Sequence, residues 1–204
     1  MPPTAFKTND MLFFHQMTVD TYKYATYGEV NPAIFQIVTF PFLFSVMYGD
    51  YGHGAVFFAM GAMLCLFEDK IRKMGGFLKG MLVARYFILM MGFFSCFNGL
   101  VYNEFFAVPN NWFGTCFDVE NYDKGIDTCG GTHKDIQYKG CNSDCVYTFG
   151  MDPSYTLSQS YLTFTNNIKE KLSVIIAYFH LNFGIILMMI NLVHFKEFKK
   201  LIFV

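Results

Sequence analysis

Between Ala33 and Phe67 the chain carries a single charged residue, Asp50. No other feature limits the fold so tightly, because the runs on either side, AIFQIVTFPFLFSVMY (Ala33–Tyr48) and AVFFAMGAMLCLF (Ala55–Phe67), contain no charge at all. As helices they reach roughly 24 Å and 20 Å, short of the roughly 30 Å hydrocarbon core of a bilayer. Two arrangements fit: a tight helical hairpin turning at Gly49-Asp50-Tyr51-Gly52, or one long helix kinked there and at Pro41. Asn31 and Pro32 supply an N-cap and a first-turn proline for the first run. The corner places Asp50, His53, Gly49, Gly52 and Gly54 where a membrane segment is most costly to interrupt.

The rest of the chain extends the pattern. With 53% hydrophobic residues and 26 Phe, the composition is that of an integral membrane protein. The expected fold is all-α, with about four membrane helices. MLVARYFILMMGFFSCFNGLVYNEFF (Met81–Phe106) is a third span and SVIIAYFHLNFGIILMMINLVHF (Ser173–Phe195) a fourth. Residues 1–30 read as an approach segment with an amphipathic patch from Met11 to Tyr27, and show no cleavable signal pattern. Helices one to three fill 31–106, with a loop at 68–80; 107–168 form a second loop, and 169–204 the fourth helix and a tail. A net charge of −1 offers no basic surplus for nucleic acid. Lys70, Arg72, Lys73 and Lys79, with Lys196, Lys199 and Lys200, mark the cytoplasmic side, so the acidic 107–168 loop faces the lumen.

Cysteines divide the same way. Cys65 and Cys96 lie in apolar runs, whereas Cys116, Cys129, Cys141 and Cys145 crowd the polar loop and read as two disulfides with three possible pairings. A zinc site with His133 is the alternative, although the spacing is poor for one. Asp50 with His53 reads either as a proton relay or as a capped corner at the membrane surface. An intramembrane aspartyl protease is excluded, because no second Asp lies in any span. GDYGHG lacks the glycine order and Lys-[ST] of a phosphate loop, and no cofactor or resident metal is expected. Arg85 reads as a snorkelling anchor, and Asn98, His180, Asn182, Asn191 and His194 as interhelical hydrogen-bonding groups.

Several stretches together resemble the V-type proton ATPase subunit a family. They are PPTAFKTND (Pro2–Asp10), EVNPAIFQIVTFPFLFSVMYGDYGHG (Glu29–Gly54), RYFILMMGFFSCFNGLVYNEFF (Arg85–Phe106), YTFGMDPSY (Tyr147–Tyr155) and LTFTNNIKEKLSV (Leu162–Val174). The likeness covers nearly the whole chain except the cysteine-bearing loop between Asn110 and Val146. It implies a membrane stator beside a rotating proteolipid ring, a hairpin with the N-terminus in the cytoplasm, and a place in vacuolar or endosomal acidic compartments. Partners would be the other membrane and stalk subunits, the proteolipid ring and the bilayer.

In that family the arginine that faces the ring carboxylate lies in later helices, and Arg85 matches a different arginine at the start of an earlier span. No catalytic residue is therefore carried over. Pro41, Gly49, Asp50, Gly52, His53 and Gly54 are expected to be structural. The resemblance implies a fragment or truncated relative that supports the proton path without catalysing anything alone. Its alternatives are a stand-alone scaffold or assembly regulator of the pump, and a small proton or ion channel using Asp50, His53 and His180.

Overall fold

A proline and an asparagine open the first apolar helix. Asn31 Oδ1 accepts the Ala33 N–H at 3.0 Å, and Pro32 sits in the first turn at φ −70°, where it has no needed N–H to lose. In the computed structural model the described residues are 6–74, 76–118, 145–157 and 159–197. They form α1 (Asp10–Tyr22), α2 (Ala33–Tyr48), α3 (Tyr51–Leu66), α4 (Glu68–Met74), α5 (Gly76–Met81) and, after a 3₁₀ turn at Leu82–Ala84, α6 (Arg85–Tyr102). A two-stranded ribbon, β1 (Glu104–Phe105) and β2 (Val108–Pro109), follows, then a 3₁₀ turn at Pro153–Leu157 and α7 (Tyr161–His194).

The centre of the fold is α6. Phe40 stacks on Phe87, Phe42 meets Phe94 edge-on, and Asn98 Nδ2 donates to Ser45 Oγ at 2.6 Å, so α2 runs parallel to α6. Along the other side α3 runs antiparallel: Tyr51 meets Gly99, Gly54 meets Ser95 and Cys96, Phe58 meets Gly92, and Gly61 meets Leu89. A Cβ on Gly99 would stand 2.0 Å from the Tyr51 backbone nitrogen, and one on Gly92 would stand 2.3 Å from that of Phe58. Backbone-to-backbone contact of this kind is how apolar helices associate where lipid removes the hydrophobic drive between them.

The chain therefore does reverse at Gly49-Asp50, but the expected tight hairpin is not formed. Apart from the corner, where the Tyr48 ring touches His53 and Phe57, α2 and α3 each pack on α6 instead of along one another. The glycine faces of α3 and α6 explain the preference. Between Ala33 and Tyr48 there is no glycine, so bulky α2 cannot compete for close approach.

Two helical stretches are long and apolar enough to cross a membrane: Gly76–Tyr102, of 27 residues, and Tyr161–His194, of 34. At 16 residues each, α2 and α3 fall short of that length, so of the roughly four membrane helices expected two are long enough to span and two are short apolar helices. The connection read at 68–80 carries two short helices, α4 and α5. The last helix does not start near Ser173; it begins at Tyr161, inside the stretch read as loop. Its first three turns carry Asn166, Asn167, Lys169, Glu170 and Lys171, polar residues that hide a helix from any hydropathy reading.

Outer contacts complete the arrangement. α7 crosses α2 antiparallel through Phe35–Phe183 and through His180 Nε2 beside Thr39 Oγ1 at 3.2 Å. Gln16 Oε1 accepts from Asn31 Nδ2 at 2.6 Å, and Phe14 stacks on Phe87 at 4.6 Å, which docks α1 against α2 and α6.

Candidate functional site

At the corner, Asp50 begins as an N-cap and ends as a hub. Its Oδ1 accepts the His53 N–H at 3.0 Å, which caps α3. The same carboxylate accepts the Phe106 N–H at 3.0 Å and the Ala107 N–H at 2.6 Å. Those two residues form the loop of the β1–β2 ribbon, both with positive φ, 50° and 59°. Hairpin loops with two positive φ values ordinarily use Asn-Gly or Gly-Gly, because a Cβ is strained there. The loop uses Phe and Ala instead, and the carboxylate supplies charge-assisted hydrogen bonds that offset the strain.

The glycines around Asp50 are placed by contact. A Cβ on Gly49 would stand 2.7 Å from Asn98 Cβ, one on Gly52 2.7 Å from the Phe106 ring, and one on Gly54 2.6 Å from the Cys96 nitrogen. His53 Nδ1 lies 3.2 Å from Asp50 Oδ2, its ring edge-on to Phe106 with centroids 5.0 Å apart, and its side chain is 44% exposed. Pro41 is fully buried inside α2. Gly49, Asp50, Gly52, His53 and Gly54 thus lie together at the corner, against α6 and the ribbon loop, whereas Pro41 lies inside α2, about two turns before it. His180 does not join them; it pairs with Thr39 on α2.

Below the ribbon is a second polar group that sequence reasoning missed. Lys169 Nζ donates to Glu104 Oε2 at 2.7 Å, with side chains only 13% and 11% exposed. The ammonium also lies 4.7 Å from the centre of the Tyr102 ring, and the Tyr102 hydroxyl donates to the Val46 carbonyl at 2.8 Å. One pair therefore ties α7 to α6 and, through Tyr102, to α2. The available signal was Lys169 in LTFTNNIKEKLSV, one turn before the charge-free run, opposite a lone Glu at the end of another span.

Above it, Asp152 gathers the base of the long loop. Its carboxylate accepts from the Thr115 hydroxyl at 2.7 Å, the Cys116 N–H at 3.0 Å, and the Ser154 N–H and hydroxyl at 2.9 and 2.6 Å. Burial pushes the carboxyl up, but the Ser154, Cys116 and Thr115 donors outweigh it and hold Asp152 below the ordinary carboxylate value. Cys116 and Cys145 form a disulfide, their Cα atoms 5.8 Å apart. Cys129 and Cys141 lie outside the described residues, as does His133. Asn103, in the left-handed region at φ 53°, ends α6 and donates to the Met151 carbonyl at 2.6 Å. Gly150 sits against the Val101 carbonyl with no room for a Cβ.

At the opposite end of α6, Arg85 is not the snorkelling anchor expected. It is buried, with its guanidinium donating to Glu68 Oε1 at 2.9 Å and to Asp10 Oδ2 at 2.8 Å; Arg72 also pairs with Glu68. Two carboxylates from other helices were within reach, so the side chain turned inward to them. Among the described residues no group of three His, Cys, Asp or Glu side chains is arranged to hold a metal.

Fold and corner together define a class: a mostly helical protein with two helical stretches long and apolar enough to cross a membrane, whose polar groups close helix ends. Comparison with known proteins agrees. Residues 1–204 match the model of the V-type ATPase 116kDa subunit family. The chain is 38% identical over 202 residues to V-type proton ATPase subunit a1 of Arabidopsis thaliana, covering 93% of this chain and 23% of that protein. It is 37% identical over 214 residues to V-type proton ATPase 116 kDa subunit a 2 of Bos taurus, covering 96% and 25%. With V-type proton ATPase 116 kDa subunit a1 of Xenopus laevis the identity is 38% over 206 residues, covering 96% and 24%. The chain belongs to the V-type ATPase 116kDa subunit family. It spans about a quarter of the length of these relatives.

Proposed function

We propose that these residues form a peripheral, load-carrying part of the stator in the membrane sector of a rotary V-type proton ATPase. In this role they hold the proton path in place and carry no catalytic step. The observation behind the proposal is the Asp50 hub. A carboxylate that moves protons needs a lone pair open to a donor, whereas Asp50 spends its acceptor capacity on three backbone N–H groups and stands beside His53. That chemistry suits a lock between the α2–α3 corner and the ribbon after α6, and disfavours a channel that uses Asp50.

Sidedness follows from charge. The α4–α5 end, with Lys70, Arg72, Lys73 and Lys79, faces the cytoplasm, and the disulfide-bearing loop faces the lumen of a vacuolar or endosomal compartment. Partners are the other membrane and stalk subunits, the proteolipid ring and the bilayer. The motif residues Pro41, Gly49, Asp50, Gly52, His53 and Gly54 serve the lock and its packing.

The experiment is complementation together with reconstitution. Asp50→Asn, placed in the complete subunit, should reduce the amount of assembled complex, while the pumping rate per assembled complex stays near the unsubstituted value. Normal assembly with a collapsed rate would assign Asp50 to the proton path and sink the structural reading. Liposomes holding the purified 204-residue chain should retain an imposed proton gradient; a leak abolished by the same change would favour a channel.

A further inference from the structure

The end of α6 opposite the corner borders an open cavity of about 380 Å³. Phe13, Leu82 and Val83 form its apolar wall, and Arg72, Lys79 and Arg85 its cationic rim, with Asp10 the one carboxylate in the lining. The local charges do not cancel. Glu68 is shared between Arg72 and Arg85, and Asp10 pairs with Arg85, so two carboxylates face three cations. Lys79 has no carboxylate partner among the described residues. Arg85 cannot swing away to water: its side chain is 7% exposed, it is held by two ion pairs, and its Nε–H has no partner.

Position says what an anion here would be attached to. The cavity opens where the Gly76–Tyr102 stretch, long and apolar enough to cross a membrane, begins. Beside it on α5, Phe77 is 83% exposed and Leu78 is exposed as well, apolar side chains that suit the interface between headgroups and hydrocarbon. A cavity of this size lies within the 300–1,000 Å³ range of small-ligand sites. It suits a phosphate, its glycerol and the first acyl carbons, with the phosphate at the Lys79–Arg72 rim and the carbons against Phe13, Leu82 and Val83. The unbalanced positive charge selects an anionic headgroup over a zwitterionic one.

We propose that this cavity binds the phosphate headgroup of an anionic membrane phospholipid. Bound there, the lipid would join α1, α5 and α6 at their common end and supply the negative charge that Asp10 and Glu68 leave wanting.

The test uses the full 204-residue chain, extracted from bilayers of equal phosphatidylserine and phosphatidylcholine, with the lipid that stays bound counted by mass spectrometry. Phosphatidylserine should be enriched several-fold among the retained lipid. Lys79→Gln should remove most of that enrichment and Lys79→Arg should keep it. Lys171→Gln, on α7 at the other end of the molecule, should leave it unchanged. Lys79 makes no ion pair among the described residues, so the melting temperature of Lys79→Gln should equal that of the parent; Arg72→Gln is the second variant and should lose enrichment too. Equal retention of both lipids by the parent, or unchanged enrichment in both Lys79→Gln and Arg72→Gln, would overturn the proposal. Displacement of the lipid by inorganic phosphate at comparable concentration would overturn it as well, since the site would then recognise a free anion.

Discussion

The two ends of α6 are held by opposite strategies. At the Arg85 end, side chains pair with side chains: one buried guanidinium reaches Asp10, whose side chain is 76% exposed, and Glu68, at 28%. At the Asp50 end a carboxylate binds backbone N–H groups of a loop whose φ values are positive. Losing a partner at the first end returns carboxylates to water they already touch. Losing the carboxylate at the second leaves backbone donors and a strained loop with nothing to hold them. Pairs between side chains can therefore be lost without moving the main chain, whereas a carboxylate bonded to main chain fixes the path of the chain itself.

The largest test of this contrast is Gly99→Leu. With the Tyr51 backbone 2.0 Å from the position of any Cβ, the substitution should separate α3 from α6 at the corner and leave no cooperative thermal transition in detergent. Retention of the parent melting temperature would show that the helix contact is not what supports the corner.

Asp50→Ala comes next and should cost about 3 kcal/mol, combining a lost cap with unsatisfied N–H groups at Phe106 and Ala107. Thermal melts should record a drop of roughly 6–12 °C. A loss no larger than that of Arg85→Ala would break the comparison between the ends.

Lys169→Ala should cost about 3 kcal/mol or somewhat less, since it strands Glu104 in a largely buried position. Replacing the pair together, Glu104→Gln with Lys169→Met, should recover most of that loss, because an apolar or neutral pair avoids the desolvation of both charges. Failure of the double change to recover stability would make the pair a net source of stability.

Arg85→Ala should cost only about 1–2 kcal/mol, because Asp10 and Glu68 remain hydrated and Glu68 keeps Arg72. Raising salt should shrink the difference between this variant and the parent, while the Asp50→Ala difference stays constant.

The smallest effect concerns pH. Asp152 is held below its ordinary value of 3.8, so its contribution is fully present above that value and is lost as pH falls through the lowered native one. Melting temperature should be insensitive to Asp152 between neutral pH and about pH 5 and should fall only under stronger acid. Asp152→Asn should lower stability at neutral pH and flatten the acid limb; an unchanged limb would assign acid melting to other carboxylates.

Much of the architecture was legible from residue order alone. Asn31-Pro32 announced the start of α2, the absence of charge from Ala33 to Tyr48 announced its apolar length, and GDYG announced the break after it. These are local facts: a cap, a proline and a glycine act within one turn of themselves. The Asp50 cap on His53 belongs to the same class, three residues apart. Cys116 and Cys145 were legible as disulfide candidates but not as partners, because four cysteines allow three pairings.

What lay beyond the sequence was every contact that joins distant segments. Asp50 meets Phe106 and Ala107 across 56 and 57 residues, Glu104 meets Lys169 across 65, and Arg85 meets Asp10 across 75. No periodicity encodes such pairs. The packing of α2 and α3 on α6 was hidden for the same reason, since it depended on Gly54, Gly61, Gly92 and Gly99 each fitting against the backbone of a residue far along the chain, on the facing helix. By itself the sequence determined the apolar helical segments, the break at Gly49-Asp50 and which residues can cap them. Only the tertiary structure decided which faces touch and whether Asp50 and Arg85 point inward, because burial and hydrogen bonding depend on neighbours that the chain brings from elsewhere.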